Sequence, residues 1–298
     1  MKSIRNLLVV LATLAFVFTS QSCGDKGDDG PAGPTQNIHE YLSSSGGFSI
    51  MLAALDKYGW TAKLNGGGNF TILAVSDLQL QADGVDLSGA DAEDIVNMHV
   101  FEGALKPADF PNNKYLTCNA AAGPNNEKLG VFIQVVGENV RFDGVNYVEK
   151  VEATNGMIYK MEGTLKPKTV LQALAINPNI DKYKVALNLE STIKSKVTSG
   201  TTTVFATSET KFIQFLNDNN TTVTAMVPAT RRAILNNSII EGSNMSESQL
   251  TGTLTTLGAE MTITSSGGSL TINGKASMEA SNGQCTDGVI HVISDLLN

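Results

Sequence analysis

Few side chains in this sequence are of the types that catalyse reactions or bind metals. Its three histidines, His39, His99 and His291, are widely spread. No His-Glu-x-x-His helix, Gly-x-Ser-x-Gly elbow or paired-cysteine spacing accompanies them. A Ser-His-Asp triad or a pair of glycosidase carboxylates leaves no short signature, so neither is excluded by composition. The densest acidic group is Asp83, Asp86, Asp91, Glu93 and Asp94. It lacks the ligand spacing of a calcium loop, which favours helix capping and solvation over a metal site. Gly66-Gly67-Gly68 is not followed by Gly-Lys-Ser/Thr, so it reads as a turn and not a phosphate cradle. Arg231-Arg232 reads as a solvated face, with an anion site as the alternative. Cys118 and Cys285 fall at non-matching places, and two buried thiols are the preferred reading over a disulfide. No catalytic residue, metal or cofactor is expected.

The first residues carry a different chemistry. Lys2 and Arg5 precede an apolar run from Leu7 to Phe18, then small polar residues and Cys23. The run is too short to span a bilayer, which needs about 20 residues, and it has the layout of a secretory signal. With Cys23 at its exit it resembles a bacterial lipoprotein signal, which implies lipidation of Cys23 after removal of residues 1–22. Residues 23–35 combine glycine, proline and aspartate and read as a solvated spacer. The early aspartates Asp25, Asp28 and Asp29 resemble the surface-export signals of Bacteroidetes-type lipoproteins, so the expected location is the outer membrane, facing outward. Removing the signal lowers the formal charge from −8 to −10. Such a balance argues against nucleic acid as a partner and against electrostatic docking to anionic lipid, leaving membrane contact to the anchor.

The rest of the chain is organised by a repeat. Asn155-Gly156-Met157-Ile158-Tyr159-Lys160-Met161 returns as Asp287-Gly288-Val289-Ile290-His291-Val292-Ile293, a turn-forming pair followed by an apolar strand. Upstream, Thr71 to Asp77 returns as Thr203 to Glu209. Ala74 to Gly156 and Ala206 to Gly288 are both separations of 82 residues. Two motifs recurring in order at one spacing mark a tandem duplication.

Each copy reads as helices, one strand, a helix and then a run of strands. In the first copy, helices are expected at 37–42 and 48–58, the latter capped by Ser49, and from about Gly89 to Met98, capped by Ser88. Strands are expected near residues 70–75, 116–120, 131–136, 140–142 and 147–151. In the second, helices are expected at 169–176, within 180–193, around Phe212 to Leu216 and from Pro228 to Leu235. Four Thr- and Ser-rich strands then follow between Leu254 and Ala280, suited to an exposed sheet or to hydrogen bonding a sugar. This is an α+β pattern, with helices segregated from an antiparallel sheet.

The motifs resemble fasciclin (FAS1) domains. The resemblance rests on Thr71 to Asp77, Met98-His99-Val100 and Asn155 to Met161 in the first copy. In the second it rests on Thr203 to Glu209, Asn237-Ser238-Ile239 and Asp287 to Ser294. The family's proline is Val75 or Thr207 here, and its Tyr-His pair is half kept at Met98-His99 and absent at Asn237-Ser238. The resemblance implies fasciclin-like domains at 36–167 and 168–298, each a helical layer packed on an antiparallel β wedge or sandwich. It implies non-catalytic adhesion to an extracellular matrix or cell-surface protein or polysaccharide, with a small-ligand or glycan-binding lipoprotein as the alternative. His99, Val100 and Phe101 are the candidate interaction residues. For His99 a structural place in the core is the preferred reading.

Overall fold

A computed structural model describes residues 33–297. The signal segment, Cys23 and the spacer up to residue 32 lie outside the described residues. The first copy opens with helices α1 (Ile38–Ser44), α2 (Ser49–Lys57) and α3 (Thr61–Asn65). Strand β1 (Phe70–Ala74), helices α4 (Asp77–Ala82) and α5 (Ala92–Met98) and strand β2 (Val100–Glu102) follow. The copy closes with strands β3 (Lys114–Thr117), β4 (Gly130–Val136), β5 (Asn139–Phe142), β6 (Tyr147–Ala153) and β7 (Gly156–Met161). The second copy repeats the plan with α6 (Val170–Ile176), α7 (Asp181–Asn188), α8 (Ser191–Thr198), β8 (Thr202–Thr207), α9 (Glu209–Asp218) and α10 (Pro228–Asn236). Its later strands are β9 (Ile239–Glu241), β10 (Gly252–Thr255), β11 (Glu260–Ser266), β12 (Ser269–Ile272), β13 (Ala276–Cys285) and β14 (Gly288–Ile293).

Both copies start their first helix with a reciprocal cap, Asn37 with Glu40 and Thr169 with Gln172. Elsewhere the caps differ from the sequence expectation. Ser49 is the first residue of α2, and its cap comes from outside: Asp77 accepts from Ser49 N at 3.1 Å and Ile50 N at 2.8 Å. Glu209 does the same for α7, accepting from Lys182 N at 2.7 Å. Ser88 is bound to Asp86 Oδ1, and α5 begins only at Ala92, three residues later than expected from a cap at Ser88. The helix expected within 180–193 is divided at Leu189-Glu190 into α7 and α8.

The recurring closing strand lies in the middle of a sheet in each copy. The first copy has the order β2-β1-β7-β6, with β3-β4-β5 as a separate hairpin sheet. The second runs β10-β11-β12-β13-β14-β8-β9 without a break. Pairing is antiparallel except that β7 runs parallel to β1 and β14 parallel to β8, in one register: Phe70 opposite Gly156, Thr202 opposite Gly288. The long helical crossover between the paired strands makes a parallel neighbour possible. The Asn/Asp-Gly pair exists because two backbones meet there. Gly156 has φ +151° and Gly288 φ +157°, and a Cβ would lie 1.9 Å from Phe70 O or 2.1 Å from Thr202 O. The preceding side chain ties the strand to the first helix: Asn155 Oδ1 accepts from Ile38 N at 2.9 Å, Asp287 Oδ1 from Val170 N at 2.7 Å. One apolar core is built from residues between Ile38 and Leu165, and two further clusters lie between Val170 and Leu297.

Candidate functional site

His99, Val100 and Phe101 are all buried, with 0%, 0% and 1% of their surface exposed. This corrects the expectation that they offer an interaction surface: no partner reaches these side chains without opening the domain. His99 follows the last turn of α5. Its Nδ1 donates to Ile95 O at 2.7 Å, and its Nε2 accepts from Leu165 N at 3.0 Å. The ring is therefore neutral, and burial holds its pKa down to about 4, with the nearby Lys168 charge acting in the same direction. It fastens the end of the first domain to its helical layer. At the matching place in the second domain, Ser238 Oγ lies 2.7 Å from the buried Tyr183 hydroxyl, so a different pair fills the same position.

His291 is likewise structural. Its Nε2 donates to Met245 O at 2.9 Å, its ring stacks on Phe205, and burial again lowers its pKa to about 4. Tyr159 replaces it in the first domain and donates to Leu105 O at 2.8 Å. The Leu105 and Met245 loops are held by one further device that sequence reading missed. Thr71 Oγ1 donates to Gly103 O and accepts from Leu105 N; Thr203 Oγ1 donates to Ser243 O and accepts from Met245 N. The threonine opening each repeated strand motif was the available signal.

The other reactive groups are also engaged within the fold. Asp83 accepts from Thr164 N and Oγ1 and from Gln79 Nε2. Although burial pushes its carboxyl up, these bonds and Lys166 hold it below the usual range. Asp94 is pushed up by burial and by the charges of Glu93 and Asp91. Among the described residues no three His, Cys, Asp or Glu side chains gather as a metal site. Arg231 is not on a solvated face: it is 8% exposed, pairs with Glu190 at 2.7 Å and donates to the carbonyls of Val223 and Met226. A buried guanidinium needs such partners, and Glu190 lies too far off in sequence for adjacency to reveal it. Arg232 is the exposed member of the pair. Cys118 and Cys285 are free and buried. Burial pushes the Cys118 thiol up to about 12 and raises that of Cys285 as well.

What the sequence did not reveal is the junction between the domains. Tyr115 on β3 crosses it: its hydroxyl accepts from Asn177 Nδ2 at 3.1 Å, and a Cβ on Gly283 would lie 2.7 Å from its ring. Phe132 packs beside Tyr115 at 5.3 Å between ring centroids. Asp143 Oδ1 accepts from Phe132 N at 2.8 Å, and its Oδ2 meets Lys168 Nζ at 2.5 Å. Burial pushes the Asp143 carboxyl up against the pull of Lys168. Lys168 in turn gives its carbonyl to Thr286 N at 2.9 Å, so one residue holds both domains. Lys114 Nζ donates to Glu279 O beside a polar cleft of about 250 Å³.

A model of the fasciclin domain matches this chain twice, over residues 46–167 and 180–298. Among solved structures the chain is similar to a FAS1 domain pair from the insect cell adhesion molecule fasciclin I. The TM-score is 0.54 and the identity 18%, covering 85% of this chain and 97% of that one. At that identity the likeness concerns the fold. No curated protein matches the sequence. With two matched segments covering most of its length, each built around the same glycine-led strand, the chain belongs to the fasciclin family and carries two fasciclin domains in tandem.

Proposed function

We propose that this protein is a non-catalytic interaction protein, held at the outer cell surface by a lipid on Cys23. It presents its two fasciclin domains, joined by a buried junction, to an extracellular protein or polysaccharide. The observation that carries this reading is the location of the reactive side chains. His99, His291, Cys118 and Cys285 are buried, and their polar atoms are bonded to backbone groups, so they serve the fold and not a substrate. Membership of a family known in adhesion proteins supports it. The test is a deletion strain compared with its parent for attachment and biofilm, complemented by the wild-type chain and by Cys23→Ala. Attachment should fall on deletion and should not return with Cys23→Ala, which is expected to be shed. A deletion strain that attaches like its parent would end the adhesive reading. A second reading, a glycan-binding lipoprotein, is favoured by a hydroxyl-lined groove in the second domain.

A further inference from the structure

The same groove occurs in both copies. It lies between the short 3₁₀ turn that follows β2 or β9 (Pro107–Asp109, Glu247–Gln249) and the tip of the next hairpin, with β6 or β13 alongside. Its volume is about 420 Å³ in the first domain and about 550 Å³ in the second, in the range of small-ligand sites. Matching positions follow from strand register. Val135 corresponds to Ser265, because Val136 pairs with Asn139 as Ser266 pairs with Ser269. Ala108 and Ser248 are the middle residues of the two 3₁₀ turns.

The two copies line this groove with different chemistry. In the first domain Pro107, Ala108 and Val135 form an apolar wall with Lys106, Glu138 and Lys150 at its edge, two cations and one carboxylate but no hydroxyl. In the second, Glu247, Ser248, Thr251 and Ser265 bring one carboxylate and three hydroxyls over a floor of Leu250 and Leu270. Asn282 completes the rim. It sits at φ +58° where β13 shifts register against β14, the kind of bulge that re-aims a side chain. Its Oδ1 accepts from Glu247 N at 2.7 Å, and its amide NH₂ has no partner among the described residues.

We propose that the second-domain groove is a binding site for a neutral saccharide unit of an extended polysaccharide. An aliphatic floor suits the C–H face of a sugar ring, and hydroxyl, amide and carboxylate groups at the rim match its hydroxyls as donors and acceptors. With one carboxylate and no cation in the lining, the groove rejects sulfated and uronic-acid polymers. The first-domain groove, lacking hydroxyls at the matching places, does not share the specificity. This assignment rests on the non-catalytic interaction reading and names its partner class.

The experiment uses the mature lipoprotein in detergent, titrated with a neutral β-glucan, a neutral mannan and acidic alginate by calorimetry and affinity electrophoresis. Ser265→Trp fills the groove from an exposed position, Thr251→Val removes one hydroxyl at constant shape, and Ala108→Trp fills the first-domain groove. The expected result is binding to a neutral polymer, weakened at least tenfold by Ser265→Trp and several-fold by Thr251→Val. Ala108→Trp should stay within twofold, and all three variants should melt like the wild type. Binding to none of the neutral polymers, preference for alginate, or full affinity in Ser265→Trp would overturn the assignment. If no neutral polymer binds while the deletion strain still fails to attach, the saccharide assignment falls and the adhesive reading stands.

Discussion

Each domain contains one histidine that is neutral because it is buried, and this gives the protein a calculable weakness in acid. In the unfolded chain His99 and His291 take up a proton near pH 6.5, whereas in the fold both are held to about 4. Above pH 6.5 neither state binds the proton and the histidines leave stability unchanged. As the pH falls below 6.5 only the unfolded state is protonated, and stability drops until the folded rings titrate near 4. A fall from 6.5 to about 4 sets a ceiling of about 3 kcal/mol per histidine, of which roughly 2 kcal/mol is lost between pH 7 and 5. Asp143 and Asp287, whose carboxyls are raised by burial, oppose this trend, so the informative quantity is the difference between variants. Urea unfolding from pH 7 to 5, resolving the two domains, should show each losing stability with its own histidine. His291→Tyr copies the first domain's Tyr159 and should flatten the dependence of the second domain only. His99→Gln should do so for the first. Constant stability over this range, or a second-domain slope left unchanged by His291→Tyr, would refute the linkage to these histidines.

Gly156→Ala and Gly288→Ala each drive a Cβ into a carbonyl of the parallel neighbour, and should cost more than about 3 kcal/mol or abolish soluble expression. Asp143→Asn leaves Lys168 without its buried partner and should cost about 3–5 kcal/mol, seen as looser domain coupling by small-angle scattering; the double variant with Lys168→Met should recover part of it. In a Cys23→Ser chain, Cys118 and Cys285 should be silent to a thiol reagent at pH 8 and each react when its own domain unfolds, because burial keeps both protonated and out of reach. Phe132→Ala should cost about 3–5 kcal/mol at the junction, whereas Thr262→Ala at the matching exposed position should stay within about 0.5 kcal/mol in the same denaturation assay.

The fold was legible where local chemistry and repetition coincide. Gly156 and Gly288 stand out because a backbone contact admits no other residue, and the equal spacing of two such motifs revealed the duplication. The parallel pairing of β1 with β7 was not legible, since a buried strand carries no mark of its neighbour's direction. The sequence around His99 points to a place in the core but carries no sign of its acceptor role toward Leu165, because that partner lies 66 residues away. Arg231 failed for the same reason: its sequence neighbours are polar or small, and the Glu190 that permits its burial is 41 residues upstream. The hydroxyls of the second-domain groove were visible as Thr- and Ser-rich strands, yet composition could not say which of them share a concave surface.

The duplication also explains how two copies of one unit came to present different surfaces. On the hairpin sheet of the first domain, Tyr115, Phe132 and Asp143 face away from their own core and grip the second domain. Strand register puts Thr253, Thr262 and Asn273 at these places in the second copy, where Asn273 Oδ1 accepts from Thr262 N just as Asp143 Oδ1 accepts from Phe132 N. The turn geometry is thus kept, at φ +51° in both, while the aromatic anchors and the charge are gone. A face that docks in one copy is hydroxyl-bearing and exposed in the other. Removing the aromatic rings takes away the apolar area that drives docking, and removing the carboxylate takes away a partner for lysine. The core positions on the opposite side, Val131 and Ile133 against Met261 and Ile263, stay apolar throughout. The copies also differ inside their cores, where His99 is exchanged for Ser238 and Tyr159 for His291, but each of those exchanges keeps its hydrogen bonds within the domain; it is on the outward faces that the two domains differ in what they can bind.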